Sequence, residues 1–252
     1  MLYYLRKLKE LIEVASLPGG ISAILKSRPR SVTSFCIAHK LSLEGVAFRT
    51  IIDGGANIGQ FARAASRVFH DAMIYSFEPL PDVAKLLQAN LSDLDRHRLF
   101  ITALGNADGH IDFRRTSHDQ SSSVLPIARD EADQAKEMRG IREVEALRVP
   151  IGRLDTLLQG IELQRPVLLK LDLQGYELEA LKGAENVLQE CDYVMVEAVF
   201  QKVYEGEPLF DDLWAHLHSR GFRFVRPLNF VDLGSGRIMQ IDALFSRVRP
   251  HP

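Results

Sequence analysis

The chain places a glycine turn directly after an apolar run: Thr50-Ile51-Ile52 leads into Asp53-Gly54-Gly55-Ala56-Asn57-Ile58-Gly59-Gln60-Phe61. A strand, a tight turn and a helix start are packed together there, as at the first cofactor-binding turn of an open α/β sheet. A dinucleotide fingerprint needs the spacing G-x-G-x-x-G, so that backbone can crowd a pyrophosphate at a helix N-terminus. Here Asn57 stands where the second of those glycines belongs. Asp53 precedes the turn, and an acid there suits a cationic ligand better than a phosphate. S-adenosyl-L-methionine carries an ammonium and a sulfonium. The turn therefore points to a methyl donor rather than to NAD.

Hydrophobic periodicity extends this unit into alternating strands and helices. Strands are expected at residues 50–54, 73–77, 99–104, 167–173 and 193–199, with an extra one at 111–114. Helices are expected at 58–69, 83–91, 176–189 and 209–220. Residues 222–226 and 238–245 read as a closing hairpin around Gly234-Ser235-Gly236. Such alternation gives a parallel sheet with helices on both faces, and the hairpin adds one antiparallel strand. Residues 128–144 are charged and weakly periodic and read as an exposed inserted helix. Residues 1–48 read as an N-terminal helical cap, and residues 49–248 as the sheet domain.

Bulk properties exclude several classes. With 46% hydrophobic and 25% charged residues, the chain has a packed core rather than disorder. A net charge of −2 gives no electrostatic footprint for nucleic acid. Cys36 and Cys191 lie far apart, without metal-ligand or disulfide spacing, which suits a reducing, cytoplasmic setting. No apolar stretch reaches the length of a membrane span. The first 17 residues form a short amphipathic pattern with basic residues on the polar side; weak membrane-surface association, a partner helix and oligomerisation all stay open.

Ligands of open α/β sheets bind at the C-terminal ends of the strands. Asp53, Gly55, Asn57 and Gly59 are there after the first strand. Glu78 ends the second strand in Ser-Phe-Glu-Pro, where a carboxylate can accept ribose hydroxyls. Asn106 or Asp108, in the turn after the third strand, can face an adenine; a plain Asn-Asp-Gly turn explains them equally well. Lys170 and Asp172 alternate onto one face of the strand 167–173. A charged pair in a central strand is either a structural ion pair or functional. Glu177 opens the next helix, and Glu197 ends the strand after it. No histidine set has metal spacing, and no metal ligand is assigned, although Asp172, Glu177 and Glu197 together suit a hard cation. His118, beside Asp119 before Ser121–Ser123, reads as a solvated loop histidine.

Taken together, DGGANIGQF, SFEP, Ser121-Ser122-Ser123 followed by Val124-Leu125, RLDTLL, KLDLQGYELEALKGA and VMVEAV make the chain resemble the FkbM family of S-adenosylmethionine-dependent methyltransferases. The resemblance runs over residues 51–245 and leaves the N-terminal cap outside. It implies a Rossmann-like class I methyltransferase domain, with a mostly parallel seven-stranded sheet, a C-terminal antiparallel hairpin and an N-terminal helical cap. It implies methyl transfer to a hydroxyl of a small-molecule or glycan acceptor: a sugar, a glycolipid or a polyketide-type product. Asp53, Gly55, Asn57 and Glu78 become cofactor contacts, and Lys170, Asp172 and Glu177 the catalytic edge. Gly54 and Gln174 depart from the family's usual residues, which are apolar and Glu respectively.

A hydroxyl acceptor calls for a base, with Asp172 the first candidate and Glu197 the second. Lys170 then holds the acceptor oxygen or tunes Asp172. An NAD-linked nucleotide-sugar oxidoreductase and a non-catalytic cofactor-binding scaffold are the competing readings. The acceptor pocket is expected from the N-terminal helices, the Ser121–Ser123 loop and the 128–144 insertion.

Overall fold

The computed structural model describes residues 12, 14–15, 28–117, 122–126, 143–232 and 237–248. The expectations for the amphipathic N-terminus, His118, Asp119, Ser121, the bulk of the 128–144 insertion and the Gly234–Gly236 turn fall outside these residues.

A seven-stranded sheet forms the centre of the molecule. Its strands are β1 (Thr50–Gly54), β2 (Met73–Phe77), β3 (His97–Phe100), β7 (Val167–Leu171), β8 (Tyr193–Val199), β9 (Phe222–Asp232) and β10 (Ile238–Arg247), in the order β3-β2-β1-β7-β8-β10-β9. The first five run parallel, and β10 is antiparallel to both β8 and β9. This is the sheet that the resemblance implies. The strand order reverses between β1 and β7, so a ligand crevice opens at their C-terminal ends. Both strands are buried along their whole length, as their continuous apolar sequences require.

Helices cover the sheet: α1 (Val32–Ser42), α2 (Gln60–Val68), α3 (Pro81–Asn90), α4 (Leu154–Leu157), α5 (Glu177–Lys182), α6 (Glu185–Glu190) and α7 (Phe210–Ser219). Ser31 caps α1 by accepting from the Ser34 amide at 3.1 Å. Pro81 starts α3 at its first turn, where no backbone donor is needed. Helix α1 joins the sheet: Ile37, Leu41 and Phe48 pack in one cluster with Ile51 and Leu244. Lys40 Nζ donates to the Leu228 carbonyl at 3.1 Å, and Arg226 pairs with Glu44.

The structure corrects three expectations. The strand expected at 99–104 is two strands in different sheets. His97–Phe100 (β3) ends the main sheet, while Ala103–Leu104 (β4) joins a three-stranded sheet with β6 (Glu143–Gly152) and β5 (Gly109–Thr116). Glu143 and Val144, read as the end of an exposed helix, begin β6. The helix expected over 176–189 is two helices, α5 and α6. Gly183 lies between them, and a Cβ there would sit 1.9 Å from the Gly105 carbonyl oxygen, so the chain must turn around that contact. No helix among the described residues is long and apolar enough to cross a membrane.

Candidate active site

The donor side is built from the turn after β1. Gly55, Asn57 and Gly59 have φ values of +71°, +48° and +89°, three left-handed residues within one turn. Glycine adopts this conformation without penalty, and Asn is among the side chains that tolerate it best. A Cβ on Gly55 would lie 1.9 Å from the Asp172 carbonyl oxygen, so the turn after β1 touches the backbone leaving β7. Asn57 Oδ1 accepts from the Ile58 amide at 2.8 Å. The α2 N-cap position falls to Gly59, not to Asn57.

Glu78, 5% exposed, ties this turn to the end of β2. Its Oε2 accepts from the Asn57 amide and its Oε1 from the Leu80 amide, both at 3.0 Å. The carboxylate therefore shapes the site. Asn106 is placed differently from expectation: its amide donates to Glu179 on α5. Asp108 accepts from the Arg153 amide and the Thr156 hydroxyl, both at 2.9 Å, which caps α4. The plain-turn reading accounts for these contacts without a ligand.

Lys170 does not pair with Asp172. It stands beside Asp53 in the β1–β7 register, and its Nζ lies 2.9 Å from Asp53 Oδ1. The ammonium also donates to the carbonyls of Gly54 and Gly55, both at 3.1 Å. Lys170 thus ties β7 to the turn after β1. Asp53 is fully buried, and among the described residues its Oδ2 has no hydrogen-bond donor, while Oδ1 is held in the ion pair with Lys170. Burial pushes the Asp53 carboxyl up against the pull of Lys170. Burial also works against the Lys170 charge, but Asp53 and Asp172 outweigh it and hold the ammonium above its ordinary range. The 2.9 Å contact favours the ionised pair, with Lys170 charged. A buried carboxylate oxygen without a donor is what a ligand's ammonium fits.

On the other side of the crevice, acidic residues form a transverse row. Glu197 on β8 faces Asp242 on β10, and Asp242 faces Asn229 on β9. Asp172, one residue beyond β7, reaches the same row through Gln174, whose Nε2 donates to Asp172 Oδ1 and Glu197 Oε2, both at 2.8 Å. Gln240 donates to Glu197 Oε1, and Asn229 to Asp242 Oδ2 at 3.0 Å. Like charges side by side on a sheet repel; here Gln174 stands between Asp172 and Glu197, and Gln240 and Asn229 each donate to one carboxylate of the row. Burial drives Glu197 well above the usual carboxylate range, with Asp172 and Glu177 adding to it. Asp242 is pushed up to about 6 by burial and by Asp172.

Glu177 lies beneath this row. It is 2% exposed, and its oxygens accept from the amides of Leu173 at 2.6 Å and Gly175 at 3.0 Å. It closes the turn after β7. The cation site considered from Asp172, Glu177 and Glu197 is not assembled, because Glu177 faces backbone; among the described residues no group of three or more His, Cys, Asp or Glu side chains converges on a metal position.

Ser123, from the serine segment expected at the acceptor pocket, does arrive here: its Oγ donates to the Gln174 carbonyl at 2.6 Å. Tyr204 Oη lies 3.4 Å from Gln174 Oε1. Asp242, Gln240, Asn229 and Tyr204 are the residues that sequence reasoning missed. Alternation within the last two strands marked no special positions; only the β8-β10-β9 register brings them together.

The chain from 53 to 224 matches the family model of the methyltransferase FkbM domain. It is 29% identical over 160 residues to the 2-O-methyltransferase NoeI of Sinorhizobium fredii, covering 62% of this chain and 66% of that protein. It is 30% identical over 145 residues to the hexuronic acid methyltransferase AglP of Haloferax volcanii, covering 58% of this chain and 54% of that protein. Methyltransferase 1 of Beauveria bassiana is 26% identical over 185 residues, covering 68% of this chain and 71% of that protein. The matched part thus spans just under two thirds of NoeI and about half of AglP.

Proposed function

We propose, on the premise that this chain belongs to the FkbM family of methyltransferases, that it transfers a methyl group from S-adenosyl-L-methionine to a hydroxyl of a sugar, glycolipid or polyketide-type acceptor. The observation that carries this reading is the pairing of two halves at one switch point. The buried Asp53 carboxylate, whose Oδ2 has no hydrogen-bond donor among the described residues, lies on one side, and the Asp172–Glu197–Asp242 row on the other.

S-adenosyl-L-methionine, when bound, supplies an electrophilic methyl on a sulfonium. Asp53 holds its ammonium, and Gly55, Asn57 and Gly59 form the turn against which it lies. Glu78, at the end of the neighbouring strand, is the ribose-side carboxylate. Lys170 is a positioning residue that keeps Asp53 ionised. Asp172 takes the proton of the acceptor hydroxyl, and Glu197 is the second carboxylate at that place. Glu177 is a positioning residue, since its oxygens brace the turn that carries Asp172. Asn106, directed to Glu179, belongs to the rim. NoeI and AglP bear names that specify a 2-O position and a hexuronic acid, and this supports an oxygen on a sugar as the acceptor.

Calorimetry with S-adenosyl-L-methionine and with NAD separates this reading from the oxidoreductase: the former binds, the latter does not. Labelled donor with a panel of glycolipid and polyketide acceptors separates it from a silent scaffold. In Asp172→Asn, donor affinity should stay within about twofold of wild type while turnover falls by about two to four powers of ten, the usual worth of a positioned base. Unchanged turnover would remove Asp172 from the role.

A further inference from the structure

Gln174 is held where a residue of its type rarely sits. Its φ is +54°, a conformation that a non-glycine residue of this size keeps only when its surroundings impose it. Those surroundings are on three sides. Ser123 donates to its carbonyl at 2.6 Å. Gly175, with φ +97°, takes a backbone conformation that side chains rarely adopt, and a Cβ there would press on Glu207 Cγ and Leu125 Cδ1 at 3.2 Å each. Glu177 accepts the Gly175 amide.

The clamp directs one side chain. Gln174 Nε2 reaches Asp172 Oδ1 and Glu197 Oε2, both at 2.8 Å, and Tyr204 Oη stands 3.4 Å from Oε1 on the other side. An ionised carboxylate only accepts hydrogen bonds, and a carboxamide nitrogen has two hydrogens to give. A neutral group with two donors can therefore hold two neighbouring carboxylates without changing their total charge. Glu at this position would add a third negative charge, and Lys would cancel one.

We infer that Gln174 is a positioning residue for the transfer: its amide anchors Asp172 and Glu197 side by side, facing the acceptor hydroxyl. This rests on the proposed reading of these two carboxylates as the acceptor side. The charged groups around the pair are Asp53 on β1, Lys170 on β7, Glu177 on α5, Glu207 before α7, Asp242 on β10 and Lys40 on α1. Burial and these negative neighbours oppose ionisation of Glu197; the Gln174 and Gln240 donors oppose that tendency.

The test is a carboxyl-detected NMR titration of isotope-labelled protein, with the two signals assigned from Asp172→Asn and Glu197→Gln. Two variants are compared with wild type. Gln174→Gly removes the amide and suits the positive φ, so its melting temperature should equal or exceed that of wild type. Gln174→Glu keeps the length but replaces donors with charge. In both variants the carboxyl signals of Asp172 and Glu197 should both move from their wild-type positions at a fixed pH, and the Glu197 midpoint should rise by about one pH unit or more. If only one carboxyl signal moves, or neither does, the amide does not hold the pair and the inference falls. A merely structural Gln174 would change the melting temperature and leave both signals and the Glu197 midpoint in place. Donor calorimetry on wild type reads the proposed function separately, since the titration does not depend on donor binding.

Discussion

Replacing Glu177 with Gln should make the protein less stable in acid and more stable in mild alkali, so that its stability curve crosses that of wild type. Burial pushes the Glu177 carboxyl from 4.5 up to about 8, against the backbone amides of Leu173 and Gly175 that favour its charge; Asp172 and Glu207 add to the rise. Below pH 4.5 the folded and unfolded chains both carry this proton, and its contribution to stability is fully present. As pH rises toward 8 the unfolded chain ionises while the folded one keeps its proton, so stability falls. Each pH unit across that interval is worth about 1.4 kcal/mol, which sets a ceiling of about 5 kcal/mol on the loss. Gln has no proton to lose. Its NH2 group, however, must face one of the two amides that Glu177 now accepts, at a cost of about 1–3 kcal/mol. At about pH 5 the variant should therefore be the less stable by roughly that amount. Above about pH 8 it should be the more stable, by up to about 2–4 kcal/mol. Urea unfolding of both proteins at the two pH values measures this. The other raised carboxyls, Asp53, Glu197 and Asp242, titrate in both proteins; Glu197 also feels the Glu177 charge, so the crossing of the two curves, not their difference at one pH, reads Glu177. A constant offset at both pH values would refute the reasoning.

Two further substitutions test the donor side. Gly55→Ala places a methyl 1.9 Å from the Asp172 carbonyl oxygen at a φ of +71°. The conformation alone costs about 1–2 kcal/mol, and the displaced backbone should lower donor affinity more than about tenfold by calorimetry, about 1.4 kcal/mol of binding; wild-type affinity would contradict the close approach of the two turns. Lys170→Met leaves Asp53 buried without its cation, which should cost about 3–5 kcal/mol at neutral pH. The loss should shrink in acid, where Asp53 takes up a proton, and an equal loss at both pH values in urea unfolding would show that the pair is not ionised.

Most of the sheet could be read from the chain because its strands are short, apolar and separated by clear stops. The limits 50–54, 73–77 and 193–199 agree with β1, β2 and β8 to the residue. The second sheet was legible only at 111–114, inside β5. β6 begins in charged residues, and Glu143 through Glu145 stay exposed, so a strand with no buried face at its start has no period of two to detect. The long helix failed for another reason. Gly183 looked like a tolerable helix interior, and its true constraint is the distant carbonyl of Gly105, which no local pattern contains.

The same distinction governs the site. The donor half lies in one stretch of chain, so its glycines, its Asn57 and its leading Asp53 are visible together. The acceptor half depends on which strands lie side by side. Alternation put Lys170 and Asp172 on one face and left open whether they pair; in the structure Lys170 pairs with Asp53. Residues two apart along a strand are separated by roughly 6.6–6.8 Å, whereas neighbouring strands are about 4.8 Å apart. A lysine on a central strand is therefore drawn first to a carboxylate across the sheet. Asp53, in register with Lys170, takes it, and Asp172 is left to a neutral partner. That partner is Gln174, two residues on and turned back by its left-handed backbone. The division follows: one carboxylate paired with a cation on the donor side, and one held by an amide on the acceptor side. Donor affinity should thus depend on Lys170 more than on Gln174, and the placement of the Asp172 carboxylate on Gln174 more than on Lys170.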